Sequence, residues 1–200
     1  MRRPLVAVLV FLVVLAAGIA TVWLGGRWVI SVVTEKAGPV PVRRIGQAMP
    51  DFELVDLQGR TWRLADLKGR TAFVNVWATW CAPCRKELPH LQRLYDRVKD
   101  RPDVVLLTMN VDEKVPEVQP FVTKNGYTFP VIPAYDYVRK TLATTGIPRN
   151  WVIDAAGVWR FDEVGYSPGD GDWVANAEHM IEQAGNPQGG PRDRGTPTDS

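Results

Sequence analysis

The chain contains only two cysteines, Cys81 and Cys84, and they sit where one kind of residue pattern gives way to another. Upstream, Thr71–Trp77 (TAFVNVW) is rich in β-branched and aromatic residues, the composition of a strand. Downstream, from Cys84 to Lys99, Leu88, Leu91, Leu94, Tyr95 and Val98 recur at helical spacing. A pair of thiols thus falls at the junction of a strand end and a helix start. The first turn of a helix has unpaired N–H groups and a partial positive charge, and both stabilise a thiolate. The pKa of Cys81 is therefore expected to be lowered, with Arg85 and Lys86 adding positive charge nearby. Pro83 presets the backbone at the helix start and needs no N–H partner there. With two residues between them on a helical turn, the sulfurs come within bonding reach.

A bridge closing so small a ring constrains little of the unfolded chain, and structural disulfide frameworks use more cysteines and wider loops. Reactivity explains the pair better than stapling. Half of a zinc site is the competing explanation, but zinc takes four ligands and there is no second cysteine pair. The only two histidines, His90 and His179, fall on separate expected helices and read as surface or packing residues. The chemistry that follows is thiol–disulfide exchange. Cys81 attacks a target disulfide, and Cys84 attacks the resulting mixed disulfide and releases the reduced target; the reverse sequence oxidises a target. No cofactor is expected. Direction depends on the reduction potential and the electron donor, which no residue pattern encodes.

Charge is nearly balanced, with 24 basic and 22 acidic residues and a net charge of +2, which gives no electrostatic argument for nucleic-acid binding. Apolar residues make up 46% and charged residues 23%, as in a chain that buries a core. From Leu5 to Leu24 no residue is charged, a run of about 20 residues, long enough to cross a bilayer as a helix. It exceeds the roughly 7–15-residue core of a signal peptide, which favours a retained anchor. Gly18-Ile19-Ala20 is a small-x-small triplet of the kind cut after export, so a cleaved signal peptide is the rival reading. Arg2 and Arg3 favour a cytoplasmic N-terminus, although Arg27, Lys36, Arg43 and Arg44 follow the span. Either reading exports the rest of the chain and expects an extracytoplasmic (periplasmic) thiol domain on the cytoplasmic membrane. The expected organisation is an anchor or signal over 1–26, a linker over 27–46, one domain over 47–184, and a disordered tail over 185–200, rich in Gly, Pro, Asp and Thr.

Within the domain, strands and helices alternate. Phe52–Val55 and Thr61–Leu64 flank a Gln58-Gly59 turn and predict a hairpin. Val104–Val111 (VVLLTMNV) reads as a strand buried on both faces. Val115–Lys124 reads as a helix, with Pro116 in its first turn and Gly126 past its end. Phe129–Ile132 is a short extended piece, and Tyr137–Thr145 a short helix closed by Gly146. Trp151–Asp154 and Val158–Val164 form a second hairpin around Ala155-Ala156-Gly157, and Asp172–Ala184 is an amphipathic helix. This order implies an α/β domain with a central mixed sheet flanked by helices.

Asn75-Val76-Trp77-Ala78-Thr79-Trp80-Cys81-Ala82-Pro83-Cys84 resembles the signature of membrane-anchored thioredoxin-like proteins of the TlpA/ResA type, within the AhpC/TSA-redoxin superfamily. The resemblance runs from about Ile45 to Ala184. It includes Gly46-Gln47-Ala48-Met49-Pro50-Asp51-Phe52 and Leu67-Lys68-Gly69, then Phe129-Pro130-Val131, Gly146-Ile147-Pro148, Val152-Ile153-Asp154 and Gly157. It implies a thioredoxin fold with an N-terminal β-hairpin cap and a central insertion. It implies a cis-proline at Pro148 facing the cysteines, and a substrate segment contacting Trp80, Ile147 and Pro148, with the backbone at Ile147 pairing as an added strand. Glu87 matches an acidic residue of the ResA-like group that raises a cysteine pKa or shuttles a proton; an ordinary solvated surface glutamate is the alternative at that position. Pro89 matches the family's helix kink. Two departures stand out. Arg149-Asn150 replace the Thr residues that often follow the proline, which is expected to alter substrate preference. Asn75 stands where cytosolic thioredoxins keep a buried Asp, so another group must handle the proton on Cys84.

The family's usual task is reductive. Members keep the haem-binding cysteines of apocytochrome c, or copper-site assembly factors, in the dithiol state, fed with electrons by a membrane thiol-reductant conduit. That resemblance implies a protein-disulfide reductase acting on exported proteins. Rival readings are a peroxiredoxin-like thiol peroxidase, a copper-binding assembly factor using Cys81, Cys84 and a histidine, and an oxidase-type disulfide donor.

Overall fold

The computed structural model describes residues 45–166 and 172–186. The expected anchor, nearly all of the expected linker and nearly all of the expected tail lie outside the described residues. Among the described residues, no helix is long and apolar enough to cross a membrane.

The two expected central strands form as read, because their sequences leave no polar face. β3 (Thr71–Trp77) and β4 (Val104–Asn110) are buried at every position and pair in parallel, Thr71 opposite Val104 through Trp77 opposite Asn110. β5 (Val131–Pro133) extends the sheet in parallel beyond β4. β6 (Arg149–Ile153) and β7 (Trp159–Val164) continue it antiparallel on the other side of β3, giving the order β5-β4-β3-β6-β7. The cap hairpin, β1 (Glu53–Val55) and β2 (Thr61–Arg63), is a separate two-stranded sheet. Its turn is organised by Asp56, whose carboxylate accepts from the N–H groups of Gln58 and Arg60 and from the Trp62 indole at 2.8–2.9 Å. Gly59 supplies the left-handed residue of that turn, with φ 83°. The Leu57 N–H donates to the Val131 carbonyl at 2.9 Å and ties the hairpin to the sheet edge.

Helix α1 (Ala82–Val98) carries a stripe of Leu88, Leu91, Leu94 and Val98 into the core, and Pro89 sits inside it. Helix α2 (Val118–Asn125) follows a single tight turn at Val115–Glu117 and ends at Gly126 in the left-handed conformation. Helix α3 (Trp173–Gly185) is capped by Asp172, whose side chain accepts from the N–H groups of Val174 and Ala175. Alternation along β3 puts Phe73, Asn75 and Trp77 on one face. Phe73 meets the α3 residue Trp173 edge-on at 6.1 Å, and Asn75 bonds the α1 residue Glu87. These contacts seat α1 and α3 on that face of the sheet.

Two of the boundaries that differ from expectation have an identifiable cause or consequence. The Tyr137–Thr145 helix is only a wide turn over Tyr137–Thr141, with the Leu142 N–H reaching back to Tyr137. Ala143 then adopts φ 47°, a left-handed conformation that turns the chain, and Arg139 clamps the carbonyls of Thr144 and Thr145. The last strand pair begins at Arg149 rather than Trp151, so Arg149 and Asn150 are sheet residues. The whole is a thioredoxin-like α/β arrangement of a mixed sheet with flanking helices.

Candidate active site

Strand β3 ends at Trp77, whose carbonyl accepts from the Val111 N–H at 2.9 Å, and the chain reaches α1 through Ala78-Thr79-Trp80. That link is held by one buried carboxylate. Asp112 accepts from the Thr79 N–H at 2.8 Å, from the Thr79 hydroxyl at 2.6 Å and from Asn110 Nδ2 at 2.6 Å. Cys81 is therefore delivered at a fixed place as the cap of α1, with Ala82 and Pro83 opening the helix. Its Sγ accepts from the Cys84 N–H at 3.2 Å, one of the orphan donors of the first turn. The two sulfurs are bonded at 2.03 Å with Cα atoms 5.2 Å apart. Cys81 is 5% exposed and Cys84 fully buried. Trp80 stands beside Cys81, 61% exposed, on the wall of an open groove of about 400 Å³ shared with Asp112, Glu113, Lys114, Glu117 and Tyr135.

Glu87, one turn beyond Cys84, is not a solvated surface residue. It is fully buried. Its carboxylate accepts from Asn75 Nδ2 at 3.0 Å, from Asn150 Nδ2 at 2.7 Å and from the Trp173 indole. Burial pushes its pKa up to about 7; the three donors hold it down and Glu163 adds to the rise. Asn75 does not titrate, and the buried acid near the disulfide is supplied by the helix instead of the strand.

The Ile147–Pro148 peptide bond is cis, as the resemblance implied. The register of β6 on β3 pairs Arg149 with Val76, so Pro148 lies just past the end of that ladder, beside the β3 terminus that leads to Cys81. Its carbonyl accepts from the Gly165 N–H at 2.8 Å. Ile147 is half-buried. The side chains of the next two residues are engaged within the fold. Arg149 is paired with Asp162 through Nε at 2.5 Å and Nη2 at 2.7 Å, and Asn150 is spent on Glu87 and Asn75. His90 packs against Tyr166 and Trp173, and His179 lies within reach of Gln183.

Sequence reasoning did not foresee the roles of Asp112, Asn150 and Trp173. A signal existed for Asn150. Asn75 interrupts an apolar strand, and a buried amide demands partners, of which Asn150, just ahead of the apolar run Trp151–Ile153, is one. Nothing comparable marks Asp112, which follows a strand end where carboxylates are ordinary.

A family model for the AhpC/TSA family matches residues 45–161. The thiol-disulfide oxidoreductase ResA of Bacillus thuringiensis (strain Al Hakam) is 38% identical over 117 residues, covering 57% of this chain and 66% of the relative. ResA of Geobacillus thermodenitrificans (strain NG80-2) is 39% identical over 114 residues, covering 56% of this chain and 65% of the relative. The chain thus spans slightly less than two thirds of the length of these relatives. A crystal structure described as a thiol:disulfide interchange protein DsbE from Chlorobium tepidum superposes with a TM-score of 0.62 at 26% identity, over 70% of this chain and 96% of that one.

Proposed function

From its membership of the AhpC/TSA family, which the match over residues 45–161 establishes, we propose that the chain is a thiol–disulfide oxidoreductase that reduces disulfides through Cys81 and Cys84. The observation that carries this reading is the disulfide itself, seated at the head of α1 beside the exposed Trp80, with Cys81 slightly exposed and Cys84 fully buried. In the dithiol form, the Cys81 thiolate attacks one sulfur of a target disulfide. The target S–S bond breaks, its second sulfur leaves as a thiolate, and a mixed disulfide joins Cys81 to the target. Cys84 loses its proton, attacks Cys81 Sγ and expels the first target sulfur. Two electrons pass to the target and the Cys81–Cys84 bond re-forms. Glu87 takes the Cys84 proton in this reading, supported by its burial one turn along the helix and its carboxyl pushed up to about 7.

Substrates are exported proteins with cysteine pairs, with apocytochrome c and copper-site assembly factors as the candidate classes. Trp80, Ile147 and Pro148 form the substrate-contacting rim. The apolar Leu5–Leu24 run supports placement on the cytoplasmic membrane with the domain extracytoplasmic, re-reduced by a membrane thiol-reductant conduit. The test is trapping. Cys84→Ala, expressed as the full chain, accumulates mixed disulfides on Cys81 that mass spectrometry identifies; a few exported cysteine-containing proteins are expected. Equal recovery with Cys81→Ala, or peroxide consumption by reduced protein that leaves insulin bridges intact, overturns the reading.

A further inference from the structure

The two amides that meet Glu87 come from directly paired positions of adjacent strands, Asn75 of β3 opposite Asn150 of β6. They are also bonded to each other, Asn75 Nδ2 donating to Asn150 Oδ1 at 2.7 Å. That bond fixes which end of Asn150 faces the acid. With its oxygen held by Asn75, only its Nδ2 is left to point at Glu87 Oε1, 2.7 Å away. Asn75 is fixed by the same logic. Its Oδ1 is buried and has no partner among the described residues. Reversing the amide would set that oxygen against two acceptors, Glu87 Oε2 and Asn150 Oδ1, so the unpartnered carbonyl is the lesser cost. The lining of Glu87 is therefore made of donors alone: two strand amides and the Trp173 indole. A carboxylate satisfies such a lining, whereas the O–H of a neutral acid finds no acceptor in it.

We propose that Asn150 is a positioning residue for thiol–disulfide exchange: oriented by Asn75, it holds Glu87 as a carboxylate beneath the resolving cysteine. The proposal rests on the reading that Glu87 takes the Cys84 proton. It assigns Asn150 to the interior proton site and removes it from substrate recognition. The groups acting on Glu87 are Glu163 of β7, whose charge opposes ionisation, and the non-titrating Asn75, Asn150 and Trp173 from β3, β6 and α3, while Cys84 lies one turn earlier on its own helix. His90, one turn further along α1, packs edge-on against the same indole at 6.2 Å.

The test uses Asn150→Leu, close in volume and without a donor, and Asn150→Thr, smaller and with one hydroxyl, in case the first does not fold. The ¹³C carboxyl shift of Glu87 is titrated in the oxidised protein, and insulin reduction is followed against pH. In Asn150→Leu the Glu87 midpoint rises by about one unit, a tenfold higher proton affinity, and the pH profile of exchange moves with it. Asn150→Thr moves both less and in the same direction. An unmoved Glu87 midpoint in a folded variant overturns the proposal whatever the exchange rate. A moved midpoint with an unmoved exchange profile overturns it as well, and traces the fault to the Glu87 reading beneath it.

Discussion

The backbone N–H of Cys84 donates to the Sγ of Cys81 at 3.2 Å, so the first residue of the motif is held by the last. On reduction the same N–H, with the helix end behind it, faces the Cys81 sulfur and favours its anion, while Cys84 lies fully buried. Limited alkylation of the reduced protein is expected to label Cys81 at least about tenfold faster than Cys84. Peptide mapping by mass spectrometry reads the ratio. Equal labelling would reverse the assigned order of attack.

Glu87 makes stability depend on pH in a defined direction. Its carboxyl is raised from 4.5 to about 7 by burial. Between those values the native state binds more protons than the unfolded state, so unfolding free energy falls as pH rises through the window and levels off above it. The shift corresponds to about 3 kcal/mol. Urea denaturation of wild type and Glu87→Gln from about pH 4 to pH 8 is expected to show their difference changing by that amount in favour of the variant. A difference independent of pH would mean that Glu87 keeps an ordinary carboxylate affinity in the fold.

The contrast between Cys81 and Glu87 shows what a linear reading captures. Cys81 was legible because its environment is local: the strand before it, the helix after it and Pro83 between them set the geometry within a few residues. Glu87 was ambiguous because it sits at the margin of the α1 apolar stripe, next to Leu88, where period alone does not decide burial. The decision is made by a residue 63 positions away, Asn150, which arrives only once β6 has docked on β3. The same reason explains why the structural roles of Arg149 and Asn150 were not legible. In sequence they follow the loop proline, and only the sheet register turns them inward. The helix expected over Tyr137–Thr145 failed for a local reason, a left-handed Ala143 that no Gly or Asn announced.

Asp112 is the tie between β4 and the loop carrying Trp80. It is 4% exposed and takes three hydrogen bonds, two of them from Thr79. Asp112→Ala leaves three donors near a small cavity and is expected to cost about 3 kcal/mol, since each bond to a charged acceptor contributes about 1.5–3 kcal/mol and the losses overlap. Insulin reduction should fall with it, because Cys81 loses its fixed approach to α1. Thr79→Val removes only the hydroxyl bond and should cost about half as much. A stability unchanged in Asp112→Ala would show that the loop is held by packing alone.

Arg149 and Asp162 form the most buried ion pair among the described residues, with side chains 12% and 5% exposed. Asp162 also accepts from the Trp151 indole at 2.9 Å, so the β7 carboxylate is shared by two residues of β6. Removing one partner strands the other charge. Arg149→Met and Asp162→Leu are each expected to lose about 3–5 kcal/mol. The double variant should recover part of that loss, because two apolar side chains of matching size avoid desolvating either charge, while the Trp151 indole still loses its bond to Asp162. The cycle also separates structure from recognition. If the guanidinium is wholly engaged inside the sheet, the double variant reduces acidic and basic peptide disulfides in the same ratio as the wild type. A shift of that kcat/KM ratio toward basic peptides would mean that Arg149 reaches the substrate after all, as an altered substrate preference from its place after Pro148 would require.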